Sequence, residues 1–372
     1  MELSKSQLLA IKHFTKYARD HKYKSQATIN HILTMSNLSK KDYEKAVGNI
    51  KTKAKIGLHF HPDRPDITMK SVAEALLEQG IYKSQFETGI SNGSVSAYPG
   101  GERDLWEEKM YGGAYQLDGT TNDQRPKYGA LNLMLHPDGP APRFGSCYFL
   151  LSPNVSRRST YTYLDSHQNP KEKGTYEEFD MIVAALFEES FIRDVAIGEK
   201  NLTPGRLMHH LLTNLDSPFI TPSANKEPSR NLNHYIEAQV HGDISLKDDV
   251  EVLVADPSFK DTHIGRTLEK ICRTYSIDLY WHMGFVLMTD EVPVDFRGKS
   301  MPSLAKRISQ NNYIDASIIG SAVIDVKRNS ESWRDRGTSK EVLQELKLLW
   351  HVLVRYGKPY HLLINKAINR ET

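Results

Sequence analysis

The run IGLHFHPDRP, Ile56–Pro65, alternates Leu58 and Phe60 with His59 and His61. That two-residue period is the mark of a strand with one apolar and one polar face. Pro62 should end it, because proline has no N–H to give to a sheet ladder. Two histidines on one face, followed by Asp63 and Arg64, leave three chemistries open. They suit a divalent-metal pair near a strand end, as in HxH hydrolases. They equally suit hydrogen bonding to a ribose or carboxamide, with Arg64 pairing a phosphate. The third reading is a polar strand face running into a proline turn.

Outward from this strand the chain changes character on both sides. Residues 1–52 read as helical, with Leu8, Ile11, Phe14 and Ala18 at helical spacing, followed by the lysine-rich NLSKKDYEKAVGNIKTKAK. Residues 53–260 are strand-rich. SVAEALLEQG has a capping box at Ser71 and Glu74, an apolar face of Val72, Leu76 and Leu77, and a stop at Gly80. GALNLMLH alternates Leu131, Leu133 and Leu135 as a half-buried strand, and CYFLL, Cys147–Leu151, suits a strand buried on both faces. YIEAQVHG sets Ile236, Ala238 and Val240 against Glu237, Gln239 and His241; DVEVLVAD repeats the device with Val250, Val252 and Val254. From 261 to 372 helices return, with room for a strand or two around IDLYWHMGFVLM. EVLQELKLLWHVLVRYG puts Val342, Leu346, Leu349 and Leu353 on one stripe, with Gly357 and Pro359 as terminators. A strand-rich middle between helical ends makes the fold α+β. With no repeat or long linker, the helical ends are expected to pack on the core.

Composition narrows the partners. The 372 residues hold 48 basic and 46 acidic side chains, a net charge of +2, and 39% apolar residues. That is enough for a sizeable core, and it makes no case for a nucleic-acid or membrane surface. Cys147 and Cys272 are the whole cysteine complement, too few for a disulfide framework, so a reducing compartment is the default. MELSKSQLLAIKHFTKYARDHK breaks its apolar pattern with charges and does not read as a signal peptide. No stretch approaches the ~18 apolar residues of a membrane span.

Three further stretches carry chemistry. Residues 84–115 hold six glycines, Gly89, Gly93, Gly100, Gly101, Gly112 and Gly113, with Ser91, Asn92 and Ser94 among them. The stretch is neither a Walker loop nor GxGxxG, and the alternatives are a ligand-binding loop or a long surface loop. PRFGSCYF places Arg143, Gly145 and Ser146 at the mouth of a buried strand, with Tyr148 available to stack on a ligand or to pack in the core. In HYIEAQVHG, Glu237, Gln239 and His241 share a strand face, costly unless it meets water, a ligand or a partner. A carboxylate so held can anchor a ribose hydroxyl and stabilise a developing cation.

LHFHPDR, QFETGISNG, YPGGERDLWE, RPKYGALNL, PRFGSCYF, EAQVHG and LWHVLVRYG together resemble an uncharacterised bacterial family over about two thirds of the chain. That family in turn resembles the ADP-ribosyltransferase superfamily, bacterial effectors included, by order of elements. A first strand carries His or Arg, a helix ends in Gly, and a Gly/Ser-rich stretch follows. Then come a GSCYF-like strand and a late strand that opens with Glu. The resemblance implies a split, mixed or antiparallel sheet of ADP-ribosyltransferase type and cleavage of NAD at the nicotinamide–ribose bond. Transfer would be to a protein side chain, arginine first. It assigns Glu237 to the catalytic carboxylate, with Gln239 beside it. His59, His61 or Arg64 would go to the adenine-side ribose or phosphates, Ser146 or Ser91 to the nicotinamide ribose, and Tyr148 to the nicotinamide. Gly89, Asn92, Gly93 and Arg143 complete the expected NAD-binding set, and no metal is implied. It places the protein in the bacterial cytoplasm, or in a host cell reached without a cleaved signal. One departure stands out: members show Glu-x-Glu or Gln-x-Glu with the second Glu catalytic, whereas this chain reads Glu237-Ala238-Gln239. The competing reading is a hydrolase with His59 and His61 on a metal, helped by Asp165, His167, His209, His210, His263 or His282. A third is a binding module that keeps a nucleotide pocket without turnover.

Overall fold

The computed structural model of the chain describes residues 2–90, 96–217 and 232–361. Its centre is an eight-stranded sheet. In chain order the strands are β1 Ile56–Phe60, β2 Lys127–Leu131, β3 Cys147–Leu151, β4 Ser159–Tyr163 and β5 Lys173–Thr175. A two-residue pair, β6 Val195–Ala196 and β7 Glu199–Lys200, stands apart. Then come β8 Ile236–Val240, β9 Val250–Ala255 and β10 Asp278–Trp281, and a second small ladder, β11 Val286–Met288 with β12 Tyr313–Asp315. The main sheet runs β10-β9-β3-β1-β2-β8-β4-β5. Every neighbouring pair is antiparallel except β9 with β10. The fold is therefore α+β, with a mixed but mostly antiparallel sheet between helical ends.

Three helices, Lys5–Asp20, Lys22–Met35 and Lys40–Lys53, precede β1. The first is helical as expected, but its buried stripe is Gln7, Ala10, Phe14 and Ala18, while Leu8 is 54% exposed. Small residues face inward because this helix lies close against β5 and the Glu102–Tyr111 helix. The Val72–Gln79 helix has the capping box of Ser71 and Glu74 and ends at Gly80 in the left-handed region. The long Ser339–Tyr356 helix buries Val342, Leu346, Leu349 and Leu353 completely. Each such side chain contributes about 1.5–3 kcal/mol.

Pairing register sorts the sheet into two unlike faces. Ile56, Leu58, Phe60, Cys147, Phe149, Leu151, Ile236, Ala238 and Val240 join one large apolar core that also takes in residues from Ile29 to Val354. The other face carries His59, Tyr148, Ala130, Glu237 and Gln239, brought level by the pairs His59 with Tyr148, Ala130 with Glu237 and Tyr128 with Gln239. GALNLMLH departs from expectation. β2 stops at Leu131, the Asn132 N–H turns to Lys55 O at 2.8 Å, and Leu133 and Leu135 are buried beyond the strand. No helix among the described residues is long and apolar enough to cross a membrane.

Candidate active site

The polar face of the sheet is hollowed at its middle. Gly57, closely covered by Pro140, and Ala130, paired across β1 and β2, line this face together with His59 and Glu237. The cavity of about 300 Å³ is lined by His59 and Glu237, with Lys83, Arg103, Lys127, Arg143 and Lys347 contributing positive charge and Asp165 a second carboxylate. A second cavity of about 370 Å³ shares Tyr82, Lys83 and Gln85 with the first and holds His61, Arg64 and Lys70. Both volumes fall in the range of small-molecule sites.

Glu237 is only 6% exposed. Its Oε1 accepts from the Ser166 hydroxyl and from Gln239 Nε2 at 2.9 Å, and the Ser166 N–H reaches Oε2 at 3.5 Å. The bonds continue along the strand face. Thr160 Oγ1 donates to Gln239 Oε1 at 2.8 Å and lies 3.1 Å from His241 Nε2, while the Tyr115 hydroxyl lies 2.5 Å from His241 Nδ1. A neutral His241 accepting at Nδ1 and donating at Nε2 fits this chain. Burial, with Arg158 and Lys127 nearby, pushes its pKa down to about 3. The costly polar face of YIEAQVHG is thus satisfied inside the protein by Thr160 of β4, Tyr115 and the Ser166 turn. Burial first, and Asp165 second, raise the Glu237 carboxyl to about 7, while the bonds from Ser166 and Gln239 act to hold it down.

His59 sits at the centre of the sheet. Its Nδ1 lies 3.0 Å from Gly145 O, the Ala141 N–H donates to its Nε2 at 3.2 Å, and its ring stacks on Tyr148 at 4.9 Å. These partners select the neutral tautomer with the proton on Nδ1. Gly145 is required here: a Cβ would lie 2.4 Å from the Phe60 backbone. With both ring nitrogens engaged by backbone, His59 has no lone pair left for a metal. His61 points elsewhere, edge-on to Trp350 at 4.9 Å, with its pKa pushed far down by burial and Arg64. The HxH pair therefore does not converge: strand alternation ends at Phe60, and the two rings line different cavities. Among the described residues no three His, Cys, Asp or Glu side chains gather as a metal site.

The other expected residues divide. Arg143 lines the Glu237 cavity and bonds Asp165 at 3.3 Å. Arg64 lines the second cavity, 3.6 Å from Asp63. Gln239 is fully buried behind Glu237, Tyr148 behind His59, and Ser146 is buried outside both cavity walls. Gly89 caps the short Gln85–Thr88 helix with φ +63°. Ser91, Asn92 and Gly93 lie outside the described residues.

Several residues of the site escaped the sequence reading. Arg103 is buried between the rings of Trp106 and Tyr128, 4.9 and 5.0 Å from their centres. Trp106 Nε1 donates to Ser166 O at 3.0 Å, so the Glu102–Tyr111 helix pins the turn that holds Glu237. Tyr128 donates to Glu107 at 2.8 Å, and Arg125 bonds both Glu107 and Asp104, docking that helix on the sheet. The signal for Ser166 is its place between Asp165 and His167, which the sequence offers as metal-ligand candidates.

A family model described as a protein of unknown function matches residues 55–356. The chain belongs to the DUF3626 family. No curated protein matches it. The DUF3626 match begins just before β1 and ends on the last residue of the Ser339–Tyr356 helix. His59, Glu237 and Lys347 of this DUF3626 protein all fall inside it, so the site described above lies within the family unit.

Proposed function

We propose that the protein is an NAD-dependent mono-ADP-ribosyltransferase that releases nicotinamide and passes ADP-ribose to a protein side chain, arginine first. One observation carries the reading: a buried, donor-braced carboxylate, Glu237, shares a cation-lined cavity with His59 of the central strand. The sheet order supports an ADP-ribosyltransferase-type core, because the His-bearing strand, β2 and the Glu-bearing strand are adjacent. The surrounding cations favour a ligand with a pyrophosphate.

In this mechanism the bond from ribose C1′ to the nicotinamide nitrogen breaks and the electron pair leaves with nicotinamide. Ionised Glu237 faces the positive charge left on the ribose and lowers its energy in a site of low dielectric. An acceptor nitrogen then bonds to C1′ and gives up its proton, with Glu237 placed to take it. Gln239 and the Ser166 turn act through Glu237 by fixing its position. His59, locked by Gly145 O and Ala141 N, offers a rigid wall and not a proton. Arg64 of the adjoining cavity is suited to the adenine-side ribose.

The test is nicotinamide release from NAD by wild type and Glu237→Gln, with a lysate supplying acceptors and a parallel sample in EDTA. Release should survive EDTA and fall roughly 10²–10³-fold in the variant. No release from wild type, or equal release from both, removes the proposal.

A further inference from the structure

The wall of the Glu237 cavity gathers positive charge from parts of the chain far apart in sequence. Arg143 comes from the turn before β3, Lys347 from the C-terminal helix, and both line the cavity. Trp350 fixes their relation: its Nε1 donates to Pro142 O at 3.0 Å, one residue from Arg143. Arg297 arrives from the loop after β11 and lies within electrostatic reach of Arg143, Lys347 and His351. Asp165 is the carboxylate that meets Arg143 in this group. Arg143 Nε and Arg297 Nε are buried with no hydrogen-bond partner among the described residues. Guanidinium groups held near one another and near Lys347 repel, and an anion that accepts from the two free Nε–H donors removes that repulsion.

We propose that Arg143 and Lys347 on the cavity wall, with Arg297 beside them, form a phosphoryl-binding subsite built jointly by the sheet and the C-terminal region. The phosphoryl group can belong to the dinucleotide or to a second, phosphorylated molecule. The subsite stands on this placement and on the two unpartnered Nε atoms, and does not require NAD cleavage.

Inorganic pyrophosphate is the probe. Lys347 can be followed in the intact wild-type chain, because burial, Arg143 and Arg297 bring its ammonium down to about 8, within reach of acylating reagents. Peptide mass spectrometry should show Lys347 acetylated in buffer and protected by millimolar pyrophosphate. Calorimetry should show pyrophosphate affinity reduced roughly tenfold in Arg297→Gln and in Lys347→Gln, and restored by Lys347→Arg. Glu237→Gln should bind pyrophosphate no more weakly than wild type. Competition between NAD and pyrophosphate assigns the subsite to the dinucleotide; simultaneous binding assigns it to a second molecule. Unprotected Lys347 in the wild-type chain overturns the subsite even where a variant fails to fold, as does unchanged affinity in both glutamine variants. Because these readouts need no turnover, their failure is separate from a failure to release nicotinamide.

Discussion

At the scale of the residue, the site turns on how far Glu237 is from an ordinary glutamate. A carboxyl raised to about 7 is partly protonated at neutral pH, and only its ionised form can face a ribosyl cation. Nicotinamide release should therefore climb with pH through a midpoint near 7. A flat profile between pH 6 and 8 would contradict that assignment. Ser166 donates to the carboxylate and stabilises its charged form. Ser166→Ala should move the midpoint upward and lower the rate at pH 7 more than at pH 8.5. A purely structural role would depress both equally, and the pH–rate curve separates the two.

At the scale of the element, the polar strands are tied in by hydrogen bonds and the helices by close approach. Gly320 shows the second kind. It sits inside the Ala316–Arg328 helix, where exchanging Gly for Ala ordinarily stabilises by about 1 kcal/mol. Here a Cβ would fall 1.3 Å from Oδ2 of buried Asp63, directly after the HxH run. Steric overlap outweighs helix propensity, and Gly320→Ala should destabilise the fold by about 1–3 kcal/mol. Urea denaturation gives the answer, and a variant at least as stable as wild type would refute the packing. Legibility at this scale was uneven. The Ser71–Glu74 capping box, the CYFLL strand and the stripe on the last helix were readable, since each depends on neighbours within four residues. The end of β2 was not, because the bond from Asn132 N–H to Lys55 O crosses between distant stretches.

At the scale of the whole molecule, buried charge shapes the response to pH. Burial raises Glu237, Asp256 and Asp315 to about 7. From the ordinary carboxylate range up to about 7 the folded chain keeps these protons while the unfolded chain has shed them. Their contribution to stability therefore falls as pH rises through that window and stays lost above it. His241 and His351, depressed to about 3, and His61, also pushed far down, work the other way: the unfolded chain takes up their protons below 6.5, so stability drops as pH falls toward 3. Above pH 6.5 the acids dominate. Tm should be higher at pH 6 than at pH 8, and Asp256→Asn should narrow the gap. Calorimetry at the two pH values decides it; an equal or higher Tm at pH 8 would rule out the buried-acid account.

Sequence by itself determined the α+β class, the helical ends and several strands, the one that bears Glu237 among them, because period and capping are local properties of the chain; it read residues 84–115 as a loop, where the structure has the Glu102–Tyr111 helix. Tertiary structure alone decided which polar residues meet. His59 and His61, two residues apart, part company at the strand end, while His59, Ser166, Glu237 and Lys347 come together from four separate stretches. Sheet order and helix docking set those distances, and both follow from long-range pairing that no local pattern encodes.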